Sequence, residues 1–322
     1  MTYPQLKYAN VPLDRANALR RDPDWLANRL RHPCTNVIPV WRDRNLIKGS
    51  ETPHMHIALC RQETGARVIE AATELVFLGE TDNDLAYFAA DLSDCEESEA
   101  VDLAGGGSFL DLRRVGPLVD SKQAALMAYA RGMLYWHRRH RYCGRCGQAT
   151  GSRDGGHRRQ CTNPDCGHKT FPRTDPAVIM LVEYLPEDGA PPMCLLGNHH
   201  RPPANVYSTL AGFVEPGESL EETVAREVFE EVGVKVAQVA YQASQPWPFP
   251  ASIMLGFRAQ AETTDLVVDQ HELKEARWFT AEEIRTFGEW GDESISFCLP
   301  RKDSIARFLV ESWVKEVGRF TS

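Results

Sequence analysis

Short apolar runs punctuate the first third of the chain: NVIPVW from residue 36, HIALC from 56, ELVFLG from 74 and LAYFAADL from 85. Each has the length of a strand and is bounded by charged turn residues, with a GGG at 105–107. The pattern then lengthens. Ser121 is a candidate N-cap for KQAALMAYARGMLYWHRRH, whose cations gather toward the C-terminal end, where a helix dipole favours them. A compact cysteine-bearing segment follows. Beyond it, strand-like AVIMLVEYL, MCLLGNH and SIMLGFRAQA alternate with an acidic helix and a C-terminal helix near 301–317. The pattern divides the chain into a mixed β-rich domain at 1–120, a linking helix at 121–141, a small cysteine domain at 142–172 and an α/β domain at 173–322. The expected class is α/β of the α+β kind, with no internal repeat.

With 322 residues, 43% of them hydrophobic, the chain can bury two or three cores. No apolar run approaches the roughly 18 residues of a membrane span, and MTYPQLKYANVPLDRA lacks a signal-peptide core, so a cytoplasmic protein without a membrane partner is expected. Net charge is −9, which argues against broad nucleic-acid binding. The balance is uneven: Arg138 to Arg173 holds nine Lys or Arg against two acids, a window of +7 that leaves −16 for the remainder. Such a window suits either docked phosphates or a solvated basic surface.

Nine cysteines is an odd number, and four of them form two tight pairs, Cys143/Cys146 in CGRC and Cys161/Cys166 in CTNPDC. That usage fits a metal in a reducing compartment better than a disulfide framework. Two knuckles supply four soft ligands for one tetrahedral Zn²⁺, in the manner of a zinc ribbon. Because all four positions are protein ligands, the zinc is expected to be structural. Cys34, Cys60, Cys95, Cys194 and Cys298 lack such spacing and are expected as small core residues.

GFVEPGESLEETVAREVFEEVG, from Gly212 to Gly233, is crowded with glutamate. Ser219 and Glu222 make a capping box and Gly233 a C-terminal stop, which predicts a helix over 220–232. Glu222, Glu227, Glu230 and Glu231 fall in a sector about 100° wide, while Val224, Ala225, Val228, Phe229 and Val232 form the expected core face. Neighbouring like charges cost a few tenths of a kcal/mol per pair, roughly. A hard divalent cation, Mg²⁺ or Mn²⁺, would turn that repulsion into binding.

Gly212, Glu218, Arg226, Glu227, Val228, Glu230, Glu231, Gly233 and Val234 fit G-x5-E-x7-R-E-φ-x-E-E-x-G-φ throughout, where φ is apolar. This stretch resembles the signature of the Nudix hydrolases. The resemblance implies an α/β/α sandwich for the C-terminal domain, and hydrolysis of a nucleoside diphosphate linked to another group with a divalent metal. It makes Glu227 and Glu231 metal ligands, with Glu230 in the same catalytic cluster. Glu231 is the first choice for a catalytic carboxylate, and Arg226 orients Glu218 or a helix carboxylate.

Downstream, SQPWPFPAS (244–252) carries two large rings on a proline-stiffened loop. With the cysteine segment, it resembles the NADH pyrophosphatases within the Nudix group, a resemblance that covers about 115–320. It implies cleavage of NAD(H) to nicotinamide mononucleotide and AMP, removal of NAD caps from RNA in some members, and a homodimer. Carried over position by position, the carbonyl of Ala211 and the carboxylate of Glu272 join Glu227 and Glu231 around the metal. Gln245, Pro246, Trp247, Pro248, Phe249, Pro250, Ala251 and Ser252 contact the dinucleotide, Phe171 and Phe213 are ring-stacking candidates, and Arg114 and Ala306 also align with substrate positions. Gly156 departs, standing where some relatives place a carboxylate against substrate. With RNA as substrate, Arg145, Arg153, Arg158 and Arg159 are the candidate phosphate contacts. The competing reading is a zinc-ribbon nucleic-acid-binding or regulatory protein whose Nudix fold is not catalytic.

Overall fold

A computed structural model describes residues 4–49 and 54–320, with the side chains of 319 and 320 outside the description. The first three residues, MTY, to which the signal-peptide expectation extends, lie outside the described residues. Two compact units result. One comprises 7–174 together with 247–251; the other comprises the N-terminus to Leu6, 175–246 and 252 to the C-terminus.

In the first unit the predicted apolar runs are strands. Among the described residues they build a six-stranded sheet in the order His56–Ile57, Arg44–Lys48, Asn36–Trp41, Ala86–Asp91, Glu74–Glu80, with Ser108–Asp111 also on Arg44–Lys48. Asn36–Trp41 pairs in parallel with Ala86–Asp91, and the run is buried throughout, as expected for a strand covered on both faces. The helix Ser121–Arg139 packs Ala124, Met127, Ala130 and Leu134 against Ile38, Val40, Val76 and Leu78. Its N-cap is Asp120, one residue before the expected Ser121: the Asp120 Oδ1 accepts from the N–H groups of Lys122 and Gln123 at 2.9 and 3.0 Å.

The helix leads into a three-stranded ribbon, Thr150–Arg153, Arg158–Cys161 and Lys169–Thr170. Arg159 locks it to the sheet. Its Nη1 donates to Glu74 Oε2 at 2.7 Å and to His137 Nδ1 at 2.7 Å, while its Nε and Nη2 reach Thr150 Oγ1 and the Thr150 carbonyl. His137 sits between these groups: its Nδ1 also lies 3.1 Å from Glu74 Oε2, and its Nε2–H donates to the Gly156 carbonyl at 2.7 Å. One expectation is corrected here. Arg159 is buried and Arg158 pairs with Asp154 at 3.0 Å, so neither faces outward as a free phosphate contact. Gly156, the position that departs from relatives with a carboxylate, is buried at φ +90°, where a Cβ would lie 2.9 Å from Val76 Cγ1, so backbone and packing both favour glycine there.

In the second unit, Asp175–Tyr184 is, among the described residues, the central strand of a seven-stranded sheet. It pairs in parallel with Ser252–Ala261 and antiparallel with Leu210–Phe213 and Met193–His199. Successive residues of its AVIMLV run face opposite layers. Val178, Met180 and Val182 meet Val224, Val228 and Val232 of the helix Leu220–Val232; Ile179 and Leu181 meet Ile305, Leu309, Val310 and Trp313 of the helix Ile305–Phe320. This is the expected α/β/α sandwich. No helix among the described residues is long and apolar enough to cross a membrane.

Replacing Arg159 by Ala takes the guanidinium from the half-buried Glu74 carboxylate, which keeps His137 at 3.1 Å and Ser152, and removes both bonds to Thr150. The loss should be about 3 kcal/mol, read as a lower denaturant midpoint for the first unit; a midpoint unchanged from the parent would show that the ribbon is held by other contacts.

Candidate functional site

The acidic helix is built as its sequence prescribes at both ends. Ser219 Oγ accepts from the Glu222 N–H at 3.2 Å, the Glu222 carboxylate accepts from the Ser219 N–H at 2.7 Å, and Gly233 closes the helix in the left-handed conformation. Its apolar stripe differs from the expected one. Val224, Val228 and Val232 are fully buried, but Phe229 is 54% exposed, because the sheet takes only the i, i+4 row.

Arg226 organises the carboxylates. Its Nε donates to Glu218 Oε1 at 2.5 Å and its Nη2 to Glu218 Oε2 at 2.9 Å, a fork on one carboxylate. Its Nη1 reaches Glu227 Oε1 at 2.8 Å and Glu230 Oε2 at 2.9 Å, and Nη2 also donates to the Phe213 carbonyl at 3.0 Å. Glu218 accepts further bonds from the Glu215 N–H and the Thr223 hydroxyl. The Arg226 fork, with those two donors, holds the Glu218 carboxyl down at about 2. Thr223 is a residue that sequence reasoning passed over. A threonine at the helix start, five residues after Glu218, is the signal that could have found it.

Glu231 behaves differently from the rest of the acidic face. It is 6% exposed, its Oε2 has no hydrogen-bond partner, and burial followed by the charges of Glu227 and Glu272 pushes its carboxyl up to about 8. An N–H from Ala211 opposes that rise. Glu227 is also raised, first by burial and then by Glu230 and Glu218, against the pull of Arg226. Ala211 lies opposite Ile179 in the central pairing, and at the next residue a Cβ on Gly212 would overlap the Glu227 carboxylate. Glycine is therefore required for the strand to pass this close to the helix. A desolvated carboxylate oxygen without a partner, beside two further carboxylates, is a donor set that fits a hard divalent cation. The Glu227 and Glu230 carboxylates are meanwhile turned onto Arg226.

The thiols fit zinc by distance. Cys143, Cys146, Cys161 and Cys166 place all four Sγ atoms within 4.8 Å of one another, with 3.9 Å between Cys143 and Cys166 and 3.4 Å between Cys146 and Cys161. Tetrahedral zinc with Zn–S near 2.3 Å requires separations of about 3.8 Å. Among the described residues this quartet is the group of His, Cys, Asp or Glu that closes to such distances. Of the other cysteines, Cys60, Cys194 and Cys298 are buried as expected. Cys34 is exposed and Cys95 half-buried, which corrects the core assignment for these two.

Three family models match in succession: the NADH pyrophosphatase-like rudimentary NUDIX domain over residues 34–136, the NADH pyrophosphatase zinc ribbon domain over 138–171 and the NUDIX domain over 174–297. The NAD-capped RNA hydrolase NUDT12 of Homo sapiens is 35% identical over 96% of this chain and 73% of its own length. The NAD-capped RNA hydrolase NudC of Mycobacterium bovis is 37% identical over 89% of this chain and 91% of its own. The chain belongs to the NADH pyrophosphatase family of Nudix hydrolases. A NUDIX hydrolase from Nitrosomonas europaea, of known structure, matches 50% of this chain and 99% of its own at 21% identity, with a TM-score of 0.38.

In this Nudix hydrolase the expected substrate residues fall into distinct settings. Phe171 and Phe213 are exposed rings, at 50% and 60%, the first in the unit containing the ribbon and the second beside Gly212 in the sandwich. Gln245 is buried, and its amide donates to the Asp303 carbonyl at 2.7 Å while accepting from the Ile305 N–H at 2.8 Å, so it caps the C-terminal helix. Pro246 is exposed at the strand end, and Ser252 is buried where the next strand begins. Trp247 to Ala251 belong to the first unit. Trp247 and Phe249 meet edge to face at 5.1 Å, each also against Tyr8, and Phe249 lies under Arg113 and Arg131 at 4.8 and 5.4 Å. Arg131, absent from the sequence reading, donates to the Pro250 carbonyl at 3.4 Å and to the Asp43 carbonyl at 2.9 Å. Pro248 is buried and Ala251 half-buried. Arg114 is exposed, whereas Ala306 is enclosed in the apolar cluster of the C-terminal helix. Glu272 is exposed, just ahead of the strand Leu273–Thr280.

Two outcomes follow from these geometries. Cys161→Ser should release one zinc per chain and unfold the ribbon, because structural zinc contributes folding free energy directly; well-folded parent without zinc in metal analysis would refute the assignment. The second concerns pH. An unfolded glutamate titrates near about 4.3, so stability associated with protonated Glu231 is complete below that value and is lost as pH rises through about 8. Without added Mg²⁺ or Mn²⁺, Glu231→Gln should therefore gain stability over the parent from about pH 5 to pH 8, reaching a few kcal/mol. Parallel pH–stability curves for the two proteins would show that Glu231 is not a desolvated acid.

Proposed function

We propose that the chain hydrolyses the central pyrophosphate of NAD(H) to nicotinamide mononucleotide and AMP, and removes NAD caps from RNA, with Mg²⁺ or Mn²⁺ at the acidic helix. The observation that carries this reading is the buried, partnerless Glu231 carboxylate within a complete Nudix helix. Solvated surface acids have no reason to be desolvated. Glu227, Glu231, Glu272 and the Ala211 carbonyl are the proposed ligands, and Glu230 completes the cluster. A divalent ion there would neutralise phosphate charge and make a water molecule easier to deprotonate.

The chain's own groups do the rest. Arg226 holds Glu218, Glu227 and Glu230 at fixed positions, which removes the reorganisation cost of gathering like charges. Glu231, already inclined to hold a proton, is the first choice to accept one from the attacking water. Attack at one phosphorus breaks one P–O bond of the bridge, and the bridging oxygen leaves with the other mononucleotide. The exposed rings of Phe171 and Phe213 are proposed to stack on the bases, and Arg114 and 246–252 to line the dinucleotide, with Gln245 fixing the start of the helix that carries Ala306. Relatives named as NAD-capped RNA hydrolases support the same substrate class. A structural zinc, a homodimer and a cytoplasmic setting complete the proposal.

Glu231→Gln and Glu227→Gln should each lower Mg²⁺- or Mn²⁺-dependent NADH turnover by orders of magnitude, with chromatography of parent reactions giving equal nicotinamide mononucleotide and AMP. Near-normal turnover in both variants would overturn the metal-cradle reading and favour a binding module.

A further inference from the structure

Within the first unit, an open cleft of about 600 Å³ lies where the segment Arg20–Leu26, the edge of the strand Glu74–Glu80 and the ribbon turn Ser152–Gly156 meet. Its two acids are already neutralised: Glu74 by Arg159 at 2.7 Å, and Asp154 by Arg158 at 3.0 Å. Its three remaining cations are not. Arg20, Arg21 and Arg153 form no ion pair with a carboxylate among the described residues; Arg20 meets only Asn17 Oδ1 and the Arg15 carbonyl, and Arg153 the Ser152 carbonyl. Arg20 Nε is buried without a partner. Burial, and then the neighbouring Arg15 and Arg21 charges, make the charged state of Arg20 costlier, against partial relief from Tyr129 and Asp154. A solvated basic face needs no guanidinium nitrogen buried without a partner between two further arginines. An anion in the cleft would supply the missing partner.

We infer that this cleft binds the phosphodiester backbone of single-stranded RNA, as the seat for the RNA body of a capped substrate. It rests on the proposed decapping activity only for the identity of the RNA's 5′ end. The form of the cleft favours a chain of phosphates over one. The cations come from two elements far apart in sequence, Arg20 and Arg21 from one segment and Arg153 from the ribbon turn, and the space they line is open. Its other lining residues are Pro23, Leu26, Ala72 and Leu75 with small polar groups, and no aromatic ring is among them. Bases therefore have no stacking platform here, and contact runs through phosphate, independent of sequence. The inference relocates the phosphate contacts expected from the basic window. Arg153 keeps that role, Arg158 and Arg159 serve the fold instead, and Arg20 and Arg21 enter from far upstream.

The test uses the full zinc-loaded chain and a 3′-labelled single-stranded RNA carrying a 5′-NAD, without added Mg²⁺ or Mn²⁺ so that no cleavage occurs. The R21E/R153E double variant changes two exposed side chains. It should bind this RNA about tenfold more weakly or worse, and its dependence of log affinity on log salt should flatten by roughly 1.4, about 0.7 per lost phosphate contact. NADH turnover should be unchanged. R145E, an exposed ribbon cation outside the cleft, should shift RNA affinity less than about twofold. Unchanged RNA affinity in the double variant, or an equal loss in R145E, overturns the inference. So does displacement of RNA by inorganic phosphate far beyond that of chloride at matched ionic strength, which would mark a single-phosphate site. A parent that binds RNA through the cleft but cleaves no NADH would sink the hydrolase reading alone.

Discussion

One guanidinium sets the terms for the active helix. Glu218, Glu227 and Glu230 repel one another, and Arg226 reaches all three while also holding the Phe213 carbonyl. Without that clamp, Glu227 and Glu230 would lose their shared cation, and the Phe213 carbonyl its tie to the helix. With it, the cluster stays poised at the cost of some electrostatic strain. That strain is concentrated on Glu231, the one carboxylate of the group that Arg226 does not reach.

The sandwich supplies the rigidity this arrangement needs. The central strand Asp175–Tyr184 sends alternate side chains to two helices, so the acidic helix is fixed through its valine row and the C-terminal helix through Trp313 and its neighbours. The C-terminal helix is tied further by the Glu183 carboxylate, which accepts from Trp313 Nε1 at 2.9 Å and from Arg258 at 2.6 and 2.7 Å. A site built on regular elements can hold groups closer than one built on loops. The absence of a Cβ at Gly212 is the local expression of that closeness.

What the sequence revealed was chemistry encoded by spacing. Two cysteine pairs predicted a four-thiol centre, and the distances among Cys143, Cys146, Cys161 and Cys166 agree with it. The capping box at Ser219 and the stop at Gly233 placed the helix to the residue, because both are local signals. The misreadings at Arg159 and Phe229 share a cause, because their environments are set by elements distant in sequence. Arg159 looked like a surface cation until Glu74 came to it from another strand, and Phe229 like a core residue until the sheet took only the valine row of its helix. The raised Glu231 was equally illegible, since a helical wheel places it beside its exposed neighbours and only the sheet buries it.

The account stands or falls on whether the strained carboxylate is a metal ligand. The direct measurement is calorimetric titration of Mn²⁺ into the zinc-loaded protein near pH 7, repeated in buffers of different ionisation enthalpy to count protons. With Glu231 protonated below about 8, binding should release close to one proton per site, and Glu231→Gln should bind more weakly and release almost none. Tight Mn²⁺ binding without proton release, or equal release from the variant, would contradict the assignment of Glu231 as the ligand kept ready by burial.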